Sequence, residues 1–307
     1  MSALAWGRHY LAVEPTAFRV EYVINPFMDP GVQPDPERAM AQWRTMVATL
    51  RGLGARVDVV PQREDAPDMV FAMNLGLAVR DPETDSEADS AVGGGTRVVL
   101  SHMRYPQRRM ETASMAQYCA ERGWPTTVVG RDGVGPHLEA GDAFAFGGAL
   151  VVGHGPRTEE LALKHLATAL DARVLGVRLT HPAMYHLDLA FCPLDDRRAL
   201  VCPEALDDAS AAALLDLVPE PILLTEAEAL DTFAANSVVV GRTVVMPGCP
   251  DHVRRALEDA GFEIVLVDVT EFHKAGGSIR CLTNPVDVVR GRDLVVVPGG
   301  EVLLPAG

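Results

Sequence analysis

Cys281 has the sequence surroundings of a nucleophile. It closes the run AGGSIRC (275–281), whose adjacent glycines let the backbone come close to a ligand. A thiol attacks only where a base or a positive field favours the thiolate. His186, in YHLD (185–188), is a candidate for that proton transfer. Asp188, two residues on, shares its face if the segment is a strand. Glu139 and Asp142 belong to a second acidic motif, EAGD (139–142). Two carboxylates such as Glu139 and Asp188 beside one thiol suit a planar cation, because a carboxylate pairs with a guanidinium through two parallel hydrogen bonds. The chemistry suggested is sulfur attack on a guanidinium carbon, with protonation of the departing amine. Arg157, in GHGPRT (153–158), is a candidate for binding a substrate carboxylate, and Arg104 is another, with Arg108 and Arg109 competing for its role.

Residues this far apart need a scaffold that brings them together, and an internal repeat supplies one. Segments 23–27, 68–79, 139–153, 185–203, 233–247 and 280–298 share a polar start followed by apolar runs. Four of them read as two strands joined by a turn, at GG, DDRR, GR and RGRD. Asn25, Asn74, Asp142, Asp188, Asn236 and Cys281 mark equivalent points, with spacings of 49, 68, 46, 48 and 45. The long interval contains an acidic, glycine-rich stretch, Asp81–Thr96, read as a mobile loop inserted in one hairpin. Removing about 16–20 residues there restores the common period.

Helical patterns lie between the hairpins. Residues 36–52 place Met40, Trp43, Met46, Val47 and Leu50 on one face, and similar stretches are 108–123, 158–171, 208–217 and 250–261. Short strands are expected after them, at 55–60, 126–129, 173–179, 222–224 and 264–267. The unit is hairpin, helix, strand, repeated about five times, with partial units at the two ends. Joining those ends gives an α/β propeller of five ββαβ blades, a single domain over 1–307 in place of the two that length alone suggests.

Composition narrows the partners. The formal net charge is −15 and the pI about 5.0, which disfavours nucleic acid or an anionic membrane as the main partner. The longest run without a charged residue, 143–156, is too short to span a bilayer. Five cysteines, with no CxxC pair and no signal-peptide pattern, point to a reduced cytoplasm without a structural zinc. No nucleotide-binding, serine-hydrolase or zinc-protease motif is present.

The motifs INPFMD (24–29), PDMVFAMN (67–74), EAGD (139–142), GHGPRT (153–158), YHLD (185–188), FAAN (233–236) and GGSIRCL (276–282), taken in order, resemble the guanidino-group-modifying enzymes. These comprise arginine deiminases, dimethylarginine dimethylaminohydrolases, arginine dihydrolases and amidinotransferases. Their fold is the five-bladed α/β propeller, or pentein. The resemblance implies Cys281 as the nucleophile of a covalent amidino-thioether and His186 as acid, then base. It implies Glu139 and Asp188 as guanidinium ligands, and Arg157, with Arg104, as carboxylate ligands. Asn25, Phe71, Asn74, Asp142 and Asn236 join them in the substrate pocket. No metal or organic cofactor is expected, and the partner is a small cationic guanidine; a homo-oligomer is compatible. Deiminases and dimethylaminohydrolases usually carry Asp where this sequence has Asn74, whereas arginine dihydrolases carry Asn. Met73 replaces the small residue associated with that branch. The product therefore stays open between citrulline and ornithine. Transfer to an amine acceptor is the main alternative, and a non-catalytic binding module on the same fold is the lesser one.

Overall fold

The computed structural model describes residues 4, 6–80, 95–131, 133–289 and 300–306. The chain opens with β1 (His9–Val13), α1 (Pro36–Gly52) and β2 (Arg56–Val60). Four units of one design follow. The first comprises β3 (Gly76–Arg80), β4 (Thr96–Leu100), α2 (Arg109–Glu121) and β5 (Thr126–Val128); the second β6 (Ala143–Phe146), β7 (Ala149–His154), α3 (Glu160–Leu170) and β8 (Arg173–Arg178). The third comprises β9 (Phe191–Pro193), β10 (Arg198–Val201), α4 (Asp208–Leu217) and β11 (Glu220–Leu223). A short helix, α5 (Glu226–Thr232), leads into the fourth, β12 (Val238–Val240), β13 (Thr243–Met246), α6 (Asp251–Asp259) and β14 (Glu263–Leu266). Then come α7 (Thr270–His273), β15 (Thr283–Pro285), β16 (Val288–Val289) and β17 (Glu301–Leu303).

In each full unit the first two strands pair antiparallel and the strand after the helix adds in parallel to the second. The chain's two ends make a fifth sheet of the same pattern: β15 pairs antiparallel with β1, and β1 pairs parallel with β2. β16 and β17 extend two of the sheets by pairing parallel with β3 and β8. The result is a mixed α/β fold of five small sheets.

Local sequence explains the elements. Asp35 caps α1, its carboxylate accepting from Arg38 N, and Pro36 occupies the first turn, where its missing N–H is no loss. The same helix buries Trp43, Met46, Val47 and Leu50 in a cluster with Phe18, Val57 and Phe272. Each such side chain contributes roughly 1.5–3 kcal/mol by leaving water. The middle strand β7 is buried throughout, whereas the outer strand β11 alternates towards solvent.

The expected hairpin turns at Gly147-Gly148, 195–198 and 241–242 are present. The turn expected at 290–293 lies outside the described residues, as does most of the loop expected at Asp81–Thr96. Thr96 itself begins β4, where it pairs opposite Arg80. The sequence reading missed α5, with its Thr225/Glu228 capping box, and the added strand β17. It also placed the repeat landmarks on strands. Three of them, Asn74, Asp142 and Asp188, occupy tight 3₁₀ turns instead, Ala72–Leu75, Ala140–Asp142 and Leu187–Leu189, each just ahead of a strand. The alternation argument for His186 and Asp188 therefore fails, because a 3₁₀ turn has no two-residue period.

Candidate active site

The turns ahead of the strands converge. Cys281 lies in the turn before β15 and is 3% exposed, with His186, Glu139, Asp188 and Asn236 equally enclosed. Asn284, three residues on, ties this turn to the one at 72–75 by donating to Ala72 O (3.0 Å) and Gly76 O (2.8 Å).

The thiol is clamped. Cys281 N–H donates to Asn236 Oδ1 (3.1 Å), and Asn236 Nδ2 donates to Cys281 Sγ (3.1 Å) and to Asp188 O (3.0 Å). The thiol in turn donates to Asp188 Oδ2 at 3.2 Å. Burial, and then the neighbouring Asp188, push the Cys281 thiol well above its usual range, so it rests protonated. Burial also raises Asp188, whose second oxygen, Oδ1, has no hydrogen-bond partner.

His186 and Glu139 form the second half. His186 Nε2 lies 2.8 Å from Glu139 Oε2, and Arg157 Nη1 donates to that same oxygen at 3.0 Å. Glu139 Oε1 accepts from Arg104 N at 3.1 Å. Burial alone would raise the Glu139 carboxyl, but Arg157 and the His186 hydrogen bond outweigh it and hold the group well below the carboxylate range. An ionised Glu139 fixes the proton of His186 on Nε2 and leaves Nδ1 for chemistry. That nitrogen lines the gap at Gly141, where an added Cβ would stand 2.8 Å from Asn74 Oδ1, 3.2 Å from Asp188 Oδ2 and 3.4 Å from His186 Nδ1. Glycine here lets three polar side chains meet.

Other expected residues sort by what holds them. Asn74 Oδ1 accepts from Gly141 N (2.9 Å), which fixes the amide orientation and turns its NH₂ group away from that contact. Asp142 Oδ1 accepts from Leu187 N (2.9 Å), while burial pushes its carboxyl up to about 7. Arg157 is fully buried between the rings of Tyr185 (4.5 Å) and Tyr105 (4.8 Å), with Nη2 donating to Ile24 O. Phe71 packs edge-on to Phe18, and its ring occupies the space a Cβ on Gly277 would need, at 2.3 Å.

Three expectations change. Glu139 is engaged by His186, Arg157 and a backbone N–H, contacts that suit a group orienting the histidine. Asn25 is occupied at both ends, donating to Ala275 O and accepting from Phe27 N, and so straps the segment after β1 to the loop before Cys281. The Arg104 side chain is exposed and meets the site through its backbone, while Arg108 is buried in a bidentate pair with Glu111. Arg109 donates to backbone carbonyls at Met103 and Arg104. Met73 packs in the core with Leu77, Leu138 and Ala140.

The sequence reading missed Asp68 and Tyr185, although both lie inside quoted motifs. Asp68 is buried, with Oδ1 unpartnered, and Arg108, Arg157 and Glu139 act on its charge. Tyr185 donates to Gly276 O (2.8 Å), a residue at φ +83° that packs against Asn25. Of the other cysteines, burial pushes Cys119, Cys192 and Cys202 up to about 11, 12 and 12. Among the described residues no group of His, Cys, Asp or Glu is arranged to hold a metal, and no helix is long and apolar enough to cross a membrane.

Residues 17–288 match the family model described as N,N dimethylarginine dimethylhydrolase, eukaryotic. The chain belongs to this family of guanidino-modifying penteins. It is 32% identical over 276 residues to the N(G),N(G)-dimethylarginine dimethylaminohydrolase of Mycobacterium tuberculosis, covering 90% of this chain and 85% of that protein. It is 33% identical over 279 residues to the bifunctional arginine dihydrolase/ornithine cyclodeaminase AgrE of Nostoc sp., covering 89% of this chain but 37% of that longer protein. Among solved structures, unliganded AgrE superposes with a TM-score of 0.84 at 32% identity, over 94% of this chain and 40% of that one. The N-terminal domain of the arginine dihydrolase ArgZ, as a cysteine-to-serine variant bound to substrate, gives 0.82 at 31% identity, over 92% and 98%.

Proposed function

We propose that this protein hydrolyses a guanidino C–N bond of arginine or an N-methylated arginine through a covalent adduct on Cys281. The clamped Cys281–Asp188 pair, within reach of the His186–Glu139 dyad across Gly141, carries the reading. A binding module has no use for such a set.

The guanidinium docks against Asp188, whose unpartnered Oδ1 is available beside the sulfur. Its positive charge offsets the burial and the carboxylate that keep the thiol protonated, so the substrate itself favours the thiolate. His186 Nδ1 takes the thiol proton as Sγ bonds to the guanidinium carbon, and when the C–N bond breaks the amine leaves with that proton, returned by His186 Nδ1. Water then gives a proton to His186, adds to the amidino carbon, and the C–S bond breaks to release the ureido product and the thiol. Arg157, with N–H groups left over from Glu139 and Ile24, takes the α-carboxylate, and buried Asp68 takes the α-ammonium. The five sheets are read as blades of one closed ring over 1–307, the arrangement that brings turns from every repeat to a single site.

Asn74 bears on the product. With Oδ1 accepting from Gly141, its NH₂ is a donor, which matches the carbonyl oxygen of a ureido group better than a second cation. This favours a second cycle on citrulline, to ornithine, ammonia and carbon dioxide. The test is product analysis with arginine, methylated arginines and agmatine, scoring ornithine, citrulline and released amine. Ornithine with two ammonia per arginine supports both cycles. Amidino transfer to added glycine or lysine without ammonia release would replace hydrolysis with transfer.

A further inference from the structure

Arg280, next to the nucleophile, has no role in the scheme above. Its side chain is 3% exposed, and no carboxylate pairs with it among the described residues. Its Nε has no hydrogen-bond partner, and the guanidinium lies over the ring faces of Phe144 (4.9 Å) and Trp6 (5.6 Å). It lines a small cavity of about 10 Å³, together with Tyr10, Cys192 and Ser237. That space holds at most about one water molecule. A guanidinium taken out of water without an anion is costly to bury, so a counter-charge is required.

The surroundings leave few candidates. The ionisable groups acting on Arg280 are Tyr10, Asp188, Cys192 and Cys281. Burial pushes Tyr10 far above its ordinary value, and it donates to Val239 O. Cys192 is pushed up to about 12 and donates to Ser237 O. Both are neutral at working pH, which leaves Asp188 and Cys281 as the anions among these groups. The backbone ties Arg280 to the same residue that clamps the pair: Arg280 N donates to Asn236 O, while the Asn236 side chain donates to Cys281 Sγ and Asp188 O.

We infer that Arg280 is a positioning residue whose buried, unpaired guanidinium, set in the cavity lined by Trp6 and Phe144, supports the negative charge of the Asp188–Cys281 pair. The cavity residues adjoin the catalytic turns in sequence: Phe144 follows Asp142, Cys192 follows Asp188, Ser237 follows Asn236 and Arg280 precedes Cys281. His186, Glu139, Asp142, Tyr185 and Arg157 are the other titratable and charged groups around the pair, and none of them hydrogen-bonds the Arg280 side chain.

The readout is independent of substrate: the pH dependence of iodoacetamide alkylation at Cys281, followed by peptide mass spectrometry, with half-buried Cys249 as internal control. The Arg280→Met variant should raise the half-point at Cys281 by at least about one pH unit, the scale of one lost charge interaction, and leave Cys249 unchanged. Arg280→Lys, which keeps the charge, should stay near wild type. Ser237→Asp retains Arg280 but adds a competing anion to the cavity, so it should raise the half-point as well; it decides the matter if Arg280→Met does not fold. An unmoved half-point in the folded variants would overturn the inference, as would a lysine variant that shifts as far as methionine. A wild-type Cys281 that resists alkylation where Cys249 reacts would overturn it too.

Discussion

Glu139→Gln perturbs the site at its most heavily shared atom. Glu139 Oε2 serves both His186 Nε2 (2.8 Å) and Arg157 Nη1 (3.0 Å), and all three side chains are at most 2% exposed. A glutamine keeps the shape and, through its oxygen, the bond from Arg104 N, but it removes the only charge opposite Arg157 at this point. Breaking one side of a buried ion pair costs about 3–5 kcal/mol. For a chain of this size that corresponds to a fall in melting temperature of roughly 10 °C. Catalysis should suffer more than stability. A glutamine NH₂ directed at His186 Nε2 would place the ring proton on Nδ1, the nitrogen needed as base, and a wrong tautomer of this kind lowers turnover by about four orders of magnitude in a histidine–carboxylate dyad. The assay pairs a thermal melt with kcat/KM for the best guanidino substrate. A variant within about tenfold of wild type in kcat/KM, with an unchanged melt, would refute the assignment of Glu139 as the residue that orients His186.

Three further outcomes follow from the geometry. Asp142 has a folded pKa raised from 3.8 to about 7, so the folded state holds its proton more tightly and stability from this group falls as pH rises through that window; Asp142→Asn, which still accepts from Leu187 N, should show a smaller fall in melting temperature between pH 4 and 7, and parallel curves would contradict this. Gly277→Ala sets a Cβ 2.3 Å from the Phe71 ring and should destabilise the fold by about 1–3 kcal/mol, measured by denaturant unfolding. Asn74→Asp keeps the acceptor for Gly141 N but removes the donor, so the ornithine-to-citrulline ratio should drop about tenfold, by roughly the worth of one hydrogen bond to substrate; an unchanged ratio would remove Asn74 from the second cycle.

Much of the scaffold was legible because the repeat is written in apolar runs and turn residues, which report local structure directly. The helix over residues 36–52 was readable from its apolar face alone, and the strand after each helix fell within two residues of its expected position. Cys281, His186 and Asp188 were also legible, and the structure brings them together. The partnership of Glu139 was not. A carboxylate beside a thiol and a histidine reads equally well as a cation ligand or as an orienting group, and its bonds to His186 and Arg157, on which the orienting role is proposed, appear only in the packed site. Asp68 was hidden because Pro-Asp is a common turn signal, and its burial shows only in the fold, where Arg108 donates to its backbone oxygen. Arg280 was hidden for the same reason: its lack of a partner is a property of the packed site, and nothing in GGSIRCL announces it.

The central claim is that Cys281 attacks a guanidinium-like carbon held against Asp188. Chloroacetamidine, a small cation that alkylates thiols, tests it directly. Stoichiometric labelling located at Cys281 by peptide mass spectrometry, slowed by arginine and abolished in Asp188→Asn, is the predicted result. Labelling confined to Cys249, or labelling at Cys281 that neither arginine nor the loss of Asp188 affects, would contradict it.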